Sequence, residues 1–243
     1  LYIYDIETDT WGEGATLPSY GEFATSVIHD DNIYVIGLST YYTNYLYKYN
    51  ITSNTWSTLK NSPVSFGYAP CCVVGDKIHV FGGNSKAYAI YDIKTDTWEN
   101  KTSEVPWNFY SGSCVVVGDI IYLMNAAGTD YFYSLDTKTG EFTDLGGCVI
   151  QALGRFSFVR DNYIYTFGGQ GYQVNDKDTY PYTLAEILPF YKYSLDKGEW
   201  DVIPPFYIDC GTPSLTQIND KIYIYESSYY YLWEYDIPTK RWL

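Results

Sequence analysis

The stretch Tyr91-Asp92-Ile93-Lys94-Thr95-Asp96-Thr97-Trp98 decides the fold, because the chain repeats it. Near the start it reads Tyr4-Asp5-Ile6-Glu7-Thr8-Asp9-Thr10-Trp11, then Tyr49-Asn50-Ile51-Thr52-Ser53-Asn54-Thr55-Trp56, and near the end Tyr235-Asp236-Ile237-Pro238-Thr239-Lys240-Arg241-Trp242. Two worn copies lie between, Leu135-Asp136-Thr137-Lys138-Thr139-Gly140-Glu141-Phe142 and the shortened Leu195-Asp196-Lys197-Gly198-Glu199-Trp200. The closing aromatics stand at 11, 56, 98, 142, 200 and 242, in steps of 45, 42, 44, 58 and 42 residues. A single period in the forties, with one long step, is the length of a four-stranded unit.

Outward from this element, a second one precedes most of the aromatics. It is an apolar strand that exits through glycines: Lys77-Ile78-His79-Val80-Phe81-Gly82-Gly83 and Tyr163-Ile164-Tyr165-Thr166-Phe167-Gly168-Gly169. Degraded versions start at Ile33, Ile121 and Ile222. Each follows a polar turn, such as Gly75-Asp76 or Asn219-Asp220, and each turn follows another apolar strand, such as Cys71-Cys72-Val73-Val74. Short strands joined by Gly, Asn and Asp turns are hairpins. One unit is therefore strand, Asx turn, strand, glycine exit, strand with Tyr, Thr-containing turn, strand with Trp.

This pattern resembles the kelch repeat, in the kelch-repeat β-propeller group to which the central domain of galactose oxidase belongs. The resemblance covers essentially the whole chain. Two of five units keep both glycines, and one carries Phe142 in place of Trp. The expected fold is all-β: a β-propeller of four-stranded antiparallel blades, with five complete blades plus an outer hairpin, six-bladed when completed. The expected divisions of this single segment are a half blade at 1–11 and blades at 12–57, 58–99, 100–143, 144–201 and 202–243. The strands that would complete the half blade are expected from outside the segment, with another chain as the lesser source. One blade cannot hide both its faces, so blades stack. The expected structural residues are Gly82, Gly83, Gly168 and Gly169 at sharp exits, and Trp11, Trp56, Trp98, Trp200 and Trp242 wedged between blades.

Composition narrows the function. Of the 243 residues, 29 are acidic and 15 basic, for a net charge of −14, and phosphate backbones and anionic lipid repel such a chain. Nucleic acid and direct membrane insertion are therefore not expected, and no apolar run approaches the ~18–20 residues of a bilayer span. The five cysteines form no CxxC and no zinc spacing, and most read as buried free thiols.

Propellers of the resembled group include enzymes. A copper site like that of galactose oxidase needs converging histidines, but His29 and His79, the two histidines present, fall at different positions of different units. A sialidase-like carboxylate grip needs clustered arginines, and Arg155, Arg160 and Arg241 do not cluster. No cofactor, metal site or catalytic residue is expected. What stands out is aromatic loops. Between blades lie Tyr20, Phe23, Phe66, Tyr68, Trp107, Phe109, Tyr110, Phe206 and Tyr207. The long step adds Gln170 to Leu188 to one further loop. Binding residues sit on loops carried by rigid frames, and aromatic rings give contact area at low entropic cost.

The expected function is thus a non-catalytic binding or scaffold module that engages a protein segment or a glycan through one loop face. A propeller-class enzyme acting on a glycan and a structural subunit of an extracellular filament, self-assembling, are the alternatives. Two sequons, at Asn50 and Asn100, permit a glycoprotein without deciding it, and the high Tyr content with low Lys and Met leans towards an extracellular protein, with the cytoplasm as the alternative.

Overall fold

A computed structural model of the chain describes residues 1–243 except 21–23, 38–43, 68, 83–85, 108, 110–111, 125–130, 149–151, 154–155, 168–169, 172–189, 204–213, 227–230, 240 and 243. It contains five four-stranded antiparallel sheets and two small two-stranded ones. The chain divides into two compact units, Leu1–Ser111 and Gly112–Leu243.

The first unit opens with a hairpin, β1 (Tyr2–Asp5) and β2 (Thr10–Glu13). Two complete sheets follow. One is β3 (Thr25–His29), β4 (Asn32–Ile36), β5 (Leu46–Asn50) and β6 (Thr55–Thr58); the other is β7 (Cys71–Val74), β8 (Lys77–Phe81), β9 (Tyr88–Asp92) and β10 (Thr97–Asn100). The second unit holds three. They are β11 (Ser113–Val117), β12 (Ile120–Met124), β13 (Tyr131–Asp136) and β14 (Phe142–Gly147); then β16 (Phe156–Arg160), β17 (Tyr163–Phe167), β19 (Phe190–Ser194) and β20 (Glu199–Ile203); then β21 (Ser214–Ile218), β22 (Lys221–Glu226), β23 (Tyr231–Asp236) and β24 (Arg241–Trp242). A short ladder of β15 (Ala152–Leu153) with β18 (Gln170–Gly171) lies beside them. Every four-stranded sheet pairs its strands in chain order, the up-and-down blade expected from the repeat. Among the described residues, no helix is long and apolar enough to cross a membrane.

Burial follows from stacking. In β8, Ile78, His79, Val80 and Phe81 are all buried, so both faces of that strand are covered. A sheet with one wet face would alternate instead. The fourth strands β6 and β10 are mostly exposed, as outer strands should be. One core of the first unit joins Tyr34, Ile36 and Leu46 of one sheet to Ile78, Val80, Ala89 and Tyr91 of the next. In the second unit, Met124 and Phe132 pack with Ile164 and Tyr193, and Phe158 packs with Ile222 and Ile224. Each such buried aliphatic or aromatic side chain contributes about 1.5–3 kcal/mol.

The repeated Tyr and Trp are cross-strand partners. Tyr4 faces Trp11, Tyr49 faces Trp56, Tyr91 faces Trp98 and Tyr193 faces Trp200. Their ring centroids lie 5.1, 5.0, 5.0 and 5.1 Å apart, tilted pairs that add to area burial. The turn between these strands is fixed by its first residue. Oδ1 of Asp92 accepts from the Lys94 and Thr95 amides at 3.0 Å each, and Asp5 and Asp136 do the same in their turns. These bonds to amides, above all the Thr95 amide for Asp92, hold its carboxyl below the usual range. The fifth turn residue takes a left-handed conformation, filled by Asp9, Asn54 and Asp96 and by Gly140 and Gly198 in the worn copies. Asx residues and glycine are the types that tolerate it.

Candidate functional site

In every four-stranded sheet, the linker entering the first strand and the exit from the second lie at one end, because those strand ends pair (Thr25 with Ile36, Ser113 with Met124). The first-to-second and third-to-fourth turns lie at the other. The two ends differ chemically.

The turn end is acidic and internally paired. Asp76 holds Lys94 and also His29 Nε2 at 3.3 Å, so a residue of β3 reaches the turn of the following sheet. Lys94 is the main cause that keeps the Asp76 carboxyl below its ordinary range. Arg160, at the end of β16, bonds Asp161 at 3.0 Å and Asp220 of the following sheet at 2.8 Å. His29 and Arg160 occupy the same place in their sheets, the last residue of the first strand, and each reaches forward by one sheet.

The glycine end carries the aromatic loops. Tyr20 is 92% exposed. By contrast, Phe66, Trp107 and Phe109 are buried, at 3%, 7% and 1% exposure. Three of the expected binding rings are thus interior rings. The reason is a close approach of backbone. Gly37 and Gly82, the first exit glycines of two successive sheets, have φ of 75° and 89°. A Cβ on Gly37 would stand 2.9 Å from the carbonyl oxygen of Phe66, and one on Gly82 would stand 2.5 Å from that of Phe109. Each linker therefore lays an aromatic residue's main chain on the exit glycine of the sheet before it. The ring turns inward: Phe109 lies 6.3 Å from Phe81, and Phe66 lies 6.4 Å from Trp98. No local signal in the sequence marks these contacts, because each joins a linker after a fourth strand to a glycine far back in the chain. Phe23, Tyr68, Tyr110, Phe206 and Tyr207 lie outside the described residues, as do Gly83, Gly168, Gly169, most of the long loop and the side chain of Trp242. Trp11 is 52% exposed, and Trp56, Trp98 and Trp200 are half-buried between strands of neighbouring sheets.

His79 is buried in β8, with Nδ1 2.9 Å from the hydroxyl of Tyr88. Burial, with a smaller contribution from Lys77, lowers its pKa to about 4, and burial raises that of Tyr88. It is a neutral strand histidine inside a stack with Phe81 and Tyr88, whose rings lie 4.5 Å apart. His29 is at the turn end of another sheet, so the structure does not bring the two histidines together. Of the sequon asparagines, Asn50 is the first residue of a repeat turn. Its Oδ1 accepts the Ser53 amide at 2.8 Å, and its Nδ2 donates to Asn32 Oδ1 at 3.1 Å. Asn100 is exposed on the outer strand β10.

Comparison with known proteins places this architecture. A model of the Kelch motif family matches residues 66–103, which hold Gly82, Tyr91 and Trp98. Residues 66–103 thus carry a kelch motif, and the repeats on either side copy its Tyr and Trp. Human kelch repeat and BTB domain-containing protein 2 is 28% identical over 130 residues, covering 46% of this chain and 20% of that protein. A putative F-box/kelch-repeat protein of Arabidopsis thaliana is 31% identical over 131 residues, covering 51% of the chain and 36% of that protein. The chain thus spans about a fifth to a third of the length of the curated relatives it matches. The solved structure of YjhT is similar with a TM-score of 0.69 at 14% identity, over 86% of this chain and 73% of that one. That likeness concerns the fold alone, a β-propeller of four-stranded antiparallel blades.

Proposed function

We propose that this kelch propeller segment is a non-catalytic scaffold that binds a segment of a partner protein at the glycine end of its blades. The observation that carries the reading is the contrast between linker rings. Phe66, Trp107 and Phe109 are committed to the interior and make the loop bases rigid, while Tyr20, in the same kind of linker, stands 92% exposed. An exposed aromatic on a rigid base is the kind of group that becomes an interface anchor. The acidic balance of the chain favours a neutral or basic segment, or an uncharged glycan, over an acidic one. The relatives support the protein reading, since their names place kelch repeats beside BTB or F-box elements.

Cross-linking of the full chain to proteins captured from its native source, with mass-spectrometric mapping, tests this. Cross-links should concentrate on the linkers, and Tyr20→Ala should weaken capture. Cross-links confined to the acidic turn end, with capture indifferent to Tyr20→Ala, would refute it.

A further inference from the structure

Two junctions between neighbouring sheets are tied in the same way at the turn end, with one difference in chemistry. Arg160, the last residue of β16, bonds Asp161 of its own turn at 3.0 Å and Asp220 of the following sheet at 2.8 Å. His29, the last residue of β3, makes the matching pair. Its Nε2 lies 3.6 Å from Asp30 Oδ2 of its own turn and 3.3 Å from Asp76 Oδ1 of the following sheet. The two side chains are similarly enclosed, at 19% and 20% exposure. A guanidinium keeps its charge throughout the pH range in which proteins stay folded, whereas an imidazole gains or loses its charge between about pH 5 and 8. The tie in the second unit is therefore permanent, and its counterpart in the first is conditional.

The charges around His29 favour a cation there. Asp30 and Asp76 face it, and Lys94 sits on the other oxygen of Asp76. Lys77 and Asp92, cross-strand partners in the same sheet as Asp76, balance each other. Asp31, the remaining acid of the β3–β4 turn, accepts the Thr52 amide at 3.2 Å. Tyr34 of β4 brings no charge, since burial, with a smaller contribution from Asp30, raises its pKa. Two carboxylates against one ammonium leave a negative charge, which a charged imidazole neutralises. The opposite end of the junction is pinned by a hydrogen bond: Thr25, at the start of β3, places Oγ1 3.1 Å from Cys71 Sγ at the start of β7. We propose that His29 is a proton-gated tie between the sheets β3–β6 and β7–β10. Charged, it closes the turn end of their junction; neutral, it lets that end open about the Thr25–Cys71 pin. The tie is thus complete in mild acid and lost as pH rises. His79 acts with the opposite sign, because its ring is buried and neutral down to about pH 4.

Amide hydrogen exchange of the full chain, read on peptides covering residues 25–36 and 71–81 between about pH 5.5 and 8, tests this. Intrinsic exchange rates change with pH alike in every variant, so each protein is compared with another at the same pH. His29→Arg copies Arg160 and makes the tie permanent; His29→Gln removes its charge. At the acid end the unmodified chain should exchange like His29→Arg and about threefold more slowly than His29→Gln. At the alkaline end it should exchange like His29→Gln. Peptides 156–167 and 214–225, at the junction held by Arg160, should show no such crossover. In an Asp76→Asn background, which removes the carboxylate shared by the two sheets, the difference between histidine and arginine at position 29 should no longer change with pH. If His29→Arg does not fold, the unmodified chain and His29→Gln alone decide, since they should differ in acid and converge as pH rises. A ratio that stays constant across the range, or a crossover that persists with Asp76→Asn, would overturn the proposal.

Discussion

Gly82 does two things that no other residue type does together. It holds φ at 89°, and it leaves room for the Phe109 carbonyl, which an added Cβ would meet at 2.5 Å. Gly82→Ala should therefore lose about 3 kcal/mol, about 1–2 from the left-handed conformation and the rest from displacing a neighbouring main chain. Gly75→Ala, at φ 59° with open space around it, should lose only the conformational part, about 1 kcal/mol. Urea midpoints of the two variants separate these contributions. His79 makes a second prediction at this scale. Folding holds its imidazole neutral down to about pH 4, whereas the unfolded chain protonates it near its ordinary 6.5. Between those values the unfolded state binds more protons. Stability from this group is thus full above pH 6.5 and falls as pH drops to about 4, by about 3 kcal/mol. His79→Gln should flatten the difference between urea titrations at pH 7 and pH 4.5.

The element scale shows which parts of the repeat can wear. In the first unit the indole N–H of Trp98 is bonded to the Lys60 carbonyl. In the second unit Trp200 holds the same place against Tyr193, but its Nε1 is buried with no hydrogen-bond acceptor. The preceding outer strand β14 pairs irregularly with β13 between Tyr131 and Tyr133, and its penultimate residue is Gly146 with φ 92°. Trp98→Phe should cost about 1 kcal/mol for a lost hydrogen bond. Trp200→Phe should be neutral or slightly stabilising, because it removes an unsatisfied donor; thermal melts of the pair would check the contrast. The strands, their order and the Tyr–Trp register were all readable from the spacing, since cross-strand partners in a tight hairpin are local in sequence. The fate of Phe66 and Phe109 was not. A ring in a linker looks the same on paper whether it faces water or a glycine in the sheet before it, and that contact joins residues far apart in the chain. The exposed Tyr20 and the buried Trp107 were likewise indistinguishable by type.

Across the molecule, charge is the property with the longest reach. A net charge of −14 with the turn-end acids largely paired means that any basic partner is steered by the field of the whole chain. Association with such a partner should slow about tenfold when salt rises from ~0.05 to ~0.5 M, with dissociation changed far less, as stopped-flow mixing would show. Gels with duplex DNA should show no shift at any salt.

In the first unit, Asn54 and Trp56 hold both backbone groups of Ala15, and Asp96 and Trp98 hold those of Lys60, which bears on how such a chain could lengthen. The repeat that closes at Trp56 brings a socket in its third-to-fourth turn and leaves a plug, Lys60, four residues beyond its closing aromatic. A duplicate of such a repeat carries both halves of the joint, whereas the worn copies have lost parts of it: Phe142 has no indole N–H to give, and that of Trp200 meets no acceptor.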